Sequence, residues 1–180
     1  MKSPVGSRKP MKLTQLEDGL MAYHCEESGG YYLPSSCYMR WLSQQPAITP
    51  HIAQSDEHKQ PEPRDTPPQA RICPESGTIM TRYKVGHGFT FTIDRSITGG
   101  IWLDAGEWEA LRSRNFHDEL NRVFTQSWQR TVRDTEVQQS RRKRMEERFG
   151  TDLLGRIDTL KAELQNHPNR EELMAYLSEA

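Results

Sequence analysis

Apolar and polar residues alternate most regularly over residues 78–95, TIMTRYKVGHGFTFTIDR, where Phe89, Phe91 and Ile93 are interleaved with Thr90, Thr92 and Asp94. Alternation around Gly86-His87-Gly88 predicts a β-hairpin, because the two glycines accept the positive φ of a tight turn. His87 is therefore a turn residue rather than a ligand, since no second titratable group is tied to it by sequence. Downstream the period changes from two to 3.6. Phe116, Leu120, Val123, Phe124, Trp128 and Val132 fall at i, i+4, i+7, i+8, i+12 and i+16, one face of a helix. After the solvated stretch VQQSRRKRMEERF and Gly150, with Thr151 or Asp152 placed to cap, Leu153, Leu154, Ile157, Leu160 and Leu164 restart the helical period. Asn166-His167-Pro168 ends it, and Asn169 with Glu172 opens a last helix whose buried face is expected at Leu173, Tyr176 and Leu177. Asp104 and Glu107, three residues apart and followed by Trp108 and Leu111, form a capping box rather than an acid/base pair.

Between residues 45 and 71 both periods stop. Six of the eleven prolines (Pro46, Pro50, Pro61, Pro63, Pro67 and Pro68) lie there among Gln, Asp, Glu, Ser and Thr, a composition that cannot offset its own ordering entropy. The expected organisation is an N-terminal module over 1–44, a flexible linker over 45–71, a second module over 72–114 and a helical region over 115–180. Only 34% of the 180 residues are hydrophobic and the mean hydropathy is -0.86. A core that thin argues against a large pocketed enzyme. No run approaches the roughly 20 apolar residues needed to cross a bilayer, and no apolar segment follows MKSPVGSRKPMK, so a soluble, cytoplasmic protein without membrane partners is expected. The three cysteines, Cys25, Cys37 and Cys73, are an odd number and are expected to be reduced thiols.

Cys73-Pro74-Glu75-Ser76-Gly77, then the hairpin, then Gly99-Gly100-Ile101-Trp102-Leu103-Asp104-Ala105-Gly106-Glu107 resemble the TFIIB-type zinc-finger (zinc-ribbon) family of small bacterial proteins. The resemblance covers roughly residues 72–111. A weaker echo, Asp18-Gly19-Leu20 followed by Cys25-Glu26-Glu27-Ser28-Gly29-Gly30-Tyr31-Tyr32-Leu33, suggests a second, diverged copy of the unit. The implied fold class is α+β: two small ribbon-like hairpin units and a helical C-terminal region. In such a ribbon four thiolate or imidazole ligands hold Zn²⁺. Here Ser76 replaces a ligand beside Cys73, the returning pair falls near Ser96 and Thr98, and Ser28 replaces the partner of Cys25. Serine and threonine hydroxyls ionise too reluctantly to stand in for thiolates, so no zinc or other cofactor is expected. Nor does the spacing of His24, Cys25, Cys37 and Cys73 support one composite site.

No motif of nucleophilic, phosphate-binding, dinucleotide or metalloprotease chemistry occurs, and His24 and Cys25, adjacent on a strand, point to opposite faces. A non-catalytic adaptor or regulator binding an unidentified protein is the first expectation. Its contact surface is expected at Trp102, Trp108, Phe116, Phe124 and Trp128, with a homodimer through the C-terminal helices as a further use of the same stripe. The alternative is a nucleic-acid-binding or transcription-associated protein using Arg82, Lys84 and Arg95, for which a net charge of -1 is a poor start. The run from Arg141 to Arg144 winds around most of a helix and cannot face one groove.

Overall fold

A computed structural model describes residues 1–46 and 69–179. Six strands and six helices make it an α+β protein: β1 (Lys12–Glu17), β2 (Leu20–His24), β3 (Tyr31–Leu33), α1 (Ser35–Leu42), β4 (Thr81–Gly86), β5 (Phe89–Arg95), β6 (Ile101–Leu103), α2 (Glu107–Ser113), α3 (Leu120–Val123), α4 (Gln126–Phe149), α5 (Thr151–Gln165) and α6 (Arg170–Ser178). The expected linker lies outside the described residues from 47 to 68.

The strands form one antiparallel sheet in the order β1-β2-β3-β6-β5-β4, which reads alike from either edge. Each half is a three-stranded meander followed by a helix, and each is preceded by an isolated bridge, Lys2 to Pro10 in the first and Ile72 to Ile79 in the second. The halves join where β3 pairs with β6, Tyr31 opposite Leu103, Tyr32 opposite Trp102 and Leu33 opposite Ile101. The two modules expected over 1–44 and 72–114 are thus parts of a single sheet. They belong, with the chain up to Val132, to one compact unit, and Arg133–Ala180 is a second.

Alternation along β3 and β6 gives the sheet two apolar faces. Leu33, Ile101 and Leu103 face the larger core, with Tyr38 and Trp41 of α1, Trp108 and Leu111 of α2, and Phe116, Leu120 and Val123. Tyr32 and Trp102 face the other way, into a smaller cluster with Met11, Cys25, Cys73 and Met80. The hairpin forms as its alternation predicts: Gly86, His87 and Gly88 have φ of 68°, 52° and 84°. The His87 ring lies 4.2 Å from that of Trp128, so the turn histidine is packed against an aromatic neighbour.

The stripe from Phe116 to Val132 does enter the core, but not on one helix. Phe116 sits in a turn, α3 is four residues long, and α4 restarts after Thr125, whose Oγ1 accepts the Trp128 N–H at 3.3 Å. Trp128 Nε1 then donates to the Val85 carbonyl at 2.9 Å and Gln129 Nε2 to that of Lys84 at 2.8 Å. Those bonds satisfy carbonyls of the outer strand β4, which would otherwise offer a bare edge.

In the second unit only Leu154 and Leu164 are buried, and no residue of α6 is. The buried face expected at Leu173, Tyr176 and Leu177 is not formed: Tyr176 and Leu177 are 75% and 48% exposed. Eight of the fourteen exposed large apolar side chains among the described residues lie here: Val137, Met145, Phe149, Leu153, Leu160, Met174, Tyr176 and Leu177. Helices of this length draw most of their stability from tertiary burial, and two leucines supply little of it.

Candidate functional site

The turns that would carry ribbon ligands do converge, and they are tied together by hydrogen bonds. In the second half, the backbone N–H groups of Glu75 and Ser76 each donate to Cys73 Sγ at 3.4 Å, and the Tyr32 hydroxyl lies 3.4 Å from the same sulfur. Ser76 Oγ pairs with Thr78 Oγ1 at 2.8 Å, and Ser96 Oγ with Thr98 Oγ1 at 2.6 Å. Thr98 Oγ1 donates to Glu75 Oε2 at 2.7 Å and so links the two turns. The first half does the same with the roles exchanged, Ser7 Oγ of the leading turn donating to Glu27 Oε2 of the returning one.

Ser3 is the residue that sequence patterning missed. It is fully buried, and the Ser3-Pro4 pair follows the Lys2 to Pro10 bridge as Cys73-Pro74 follows the Ile72 to Ile79 bridge. Its hydroxyl and that of Ser28 both hydrogen-bond Cys25. The one local sign of it in the sequence is a serine followed by proline.

One thiol per half, surrounded by hydroxyls, does not fit Zn²⁺, which takes four ligands from thiolate, imidazole or carboxylate. Among the described residues no three His, Cys, Asp or Glu side chains are grouped to hold a metal ion. His24, Cys25, Cys37 and Cys73 do not converge. The His24 ring stacks 4.9 Å from Tyr31, and Cys37 stands on α1.

Burial pushes the Cys73 thiol up, but the hydrogen bonds from Ser76, Tyr32 and Ser96 together outweigh it and bring the thiol down to about 7. Burial, with the Cys73 sulfur beside it, holds the Tyr32 phenol well above its ordinary value. The unfolded Cys73 thiol ionises near 9.0, so folding favours the thiolate. The stability this contributes is fully present above about pH 9 and is lost as pH falls through about 7. Cys73→Ser is expected to lower stability at pH 9 by about 1–3 kcal/mol, with a smaller loss at pH 6. Urea midpoints at the two pH values check this; an equal loss at both would show that no thiolate forms.

Beside this cluster lies a buried ion network. Arg71, 4% exposed, donates from Nη1 and Nη2 to Asp104 at 2.9 and 2.6 Å, and its Nε stands 3.2 Å from Asp94 Oδ2. Trp102 Nε1 donates to Asp104 Oδ1 at 2.8 Å. The Asp104 carboxylate is therefore engaged with Arg71 and Trp102, and only half of the expected capping box exists: the Asp104 N–H donates to Glu107 Oε2 at 2.7 Å. Burial, reinforced by the Asp104 charge, raises the Glu107 carboxyl well above its ordinary value.

The expected contact surface is corrected. Trp102, Trp108, Phe116 and Phe124 are 0–8% exposed and form core, while Trp128 is half-buried. Each of these side chains has a partner inside the fold: Trp108 lies edge-on to Trp41 at 6.0 Å and to His117 at 5.4 Å, and Phe124 edge-on to Tyr83 at 5.1 Å. The basic strip is occupied as well. Arg82 Nε lies 3.1 Å from Asp94 Oδ1, Arg95 covers the Phe124 ring at 4.7 Å, and Lys84 also has an interaction of its own.

No family model, characterised protein or solved structure matches this chain. The outward-facing features of the described residues are therefore what remains to indicate a role. Among them is an open groove of about 460 Å³ beside α6, lined in part by His167, Glu172, Leu173 and Tyr176.

Proposed function

We propose that the protein is a non-catalytic adaptor or regulator that acts through protein–protein contact, built on a degenerate zinc-ribbon frame. The observation that carries this reading is the concentration of exposed apolar side chains in Arg133–Ala180, above all on α6, where Met174, Tyr176 and Leu177 are exposed and Tyr176 lines the groove. Exposed aromatic and long aliphatic side chains of this kind are typical anchors of protein interfaces. The groups best suited to chemistry, Cys73, Asp94 and Glu107, are by contrast buried and bonded to one another's neighbours. No helix among the described residues is long and apolar enough to cross a membrane.

A role in nucleic-acid binding or transcription has less behind it, since Arg82 and Arg95 are already engaged and the net charge is -1. Full-length protein incubated in native lysate is expected to retain a defined protein set that survives nuclease. The double substitution Tyr176→Ala with Leu177→Ala is expected to cut retention about tenfold with unchanged circular dichroism. Equal retention by both proteins would sink the α6 assignment, and loss on nuclease treatment would favour the nucleic-acid role.

A further inference from the structure

We infer that α5 is a self-association surface, on which a second copy of this chain packs antiparallel about a two-fold axis. The inference goes beyond the adaptor reading and uses a different helix. Leu153, Ile157, Leu160 and Leu164 follow one another at spacings of four, three and four, the seam of a coiled coil. Leu153 and Leu160 are 44% and 41% exposed, Ile157 is half-buried, and Leu164 at the end of the seam is covered by its own chain. The seam is therefore only partly covered within the chain.

The pattern is its own complement. Laid antiparallel on a second α5, Leu153 falls opposite Leu164 and Ile157 opposite Leu160, and the same axis returns both pairs a second time. Flanking charges select this orientation. Arg156 and Glu163 both lie on one side of the seam, exposed, and neither makes an ion pair among the described residues. Seven residues apart, they are separated by about 10.5 Å along the helix and cannot pair with each other. In the antiparallel dimer Arg156 of one copy meets Glu163 of the other, twice. A parallel pairing would instead set Arg156 against Lys161, two like charges. Charge complementarity thus points to a second copy and fixes its direction.

Light scattering coupled to gel filtration, and sedimentation over a range of concentrations, test this on the full chain. The wild-type protein is expected to dimerise. Arg156→Glu and Glu163→Arg are each expected to weaken the dimer by about tenfold or more, because each replaces two attractive pairs by two repulsive ones. The double variant, in which the charges are exchanged, is expected to return to near wild-type affinity. Rescue cannot arise within one helix, given the separation. A wild-type protein that stays monomeric, a dimer tightened by Arg156→Glu, or a double variant no better than the singles would each overturn the inference. Circular dichroism on all four proteins shows whether the exposed substitutions leave the helices intact, and a loss of helix in both singles would count against the seam as drawn. The α6 substitutions leave α5 untouched, so the two readings fail separately.

Discussion

Gly100→Ala is expected to destabilise the first unit by about 3 kcal/mol or more, at or above the upper end of what overpacking usually costs. A Cβ at this position would lie 2.0 Å from the Tyr32 hydroxyl oxygen and 2.5 Å from its Cζ. The ring cannot move away, because Tyr32 is fully buried and its hydroxyl sits beside the Cys73 sulfur. Gly30→Ala is the counterpart across the β3–β6 seam: its Cβ would meet Trp102 Cζ2 at 2.4 Å and the Leu103 carbonyl oxygen at 2.8 Å. Each variant should lower the urea midpoint by about 1–2 M. Gly155→Ala, within α5 and with open space around it, is expected to raise stability of its helix slightly. Wild-type midpoints for Gly30→Ala and Gly100→Ala would show that the seam is looser than drawn.

Arg71→Ala is the second large effect. The guanidinium faces both Asp94 and Asp104; it and Asp94 are buried, and the Asp104 side chain is 13% exposed. Breaking a buried pair by removing one partner costs about 3–5 kcal/mol, because an uncompensated charge stays behind. Asp94 keeps Arg82, and Asp104 keeps the Trp102 N–H. Arg71→Lys is expected to recover less than half, since one ammonium cannot span both carboxylates as the planar fork does. Arg71→Ala also removes a charge that favours ionised Glu107, pushing that carboxyl still higher. Chemical denaturation of the three proteins checks the ranking. Arg71→Ala within about 1 kcal/mol of wild type would mean that solvent reaches Asp104 once the side chain is gone.

What could be read from the sequence was whatever local chemistry leaves behind. The hairpin is legible because alternation and two turn glycines are local, and the stripe through Val132 because its spacing survives even where Thr125 breaks the helix. The joining of the two meanders is not, since pairing Tyr32 with Trp102 across seventy residues of chain has no periodic signature. α1 is weakly marked although Tyr38 and Trp41 are spaced as helix neighbours, because it is only eight residues long. Trp102 is core where contact surface is expected: Ile101-Trp102-Leu103 is apolar at every position, and a strand apolar on both sides is covered on both sides. Cys25, Cys73 and the hydroxyls of Ser28, Ser76, Ser96 and Thr98 stand in turns marked by glycine, whereas Ser3 has only a following proline to mark it.

The β3–β6 seam changes what inheritance can do to this protein. Tyr32 from the first half closes over Cys73 and Gly100 of the second, and Trp102 from the second closes over Gly30 of the first. Neither half owns its own lid. A substitution that enlarges or shrinks a side chain on one side is felt by the other, so the two halves of the sheet cannot vary independently. Their substitutions are expected to be epistatic: a change at Gly30 should need a compensating change near Trp102, and one at Cys73 a change near Tyr32.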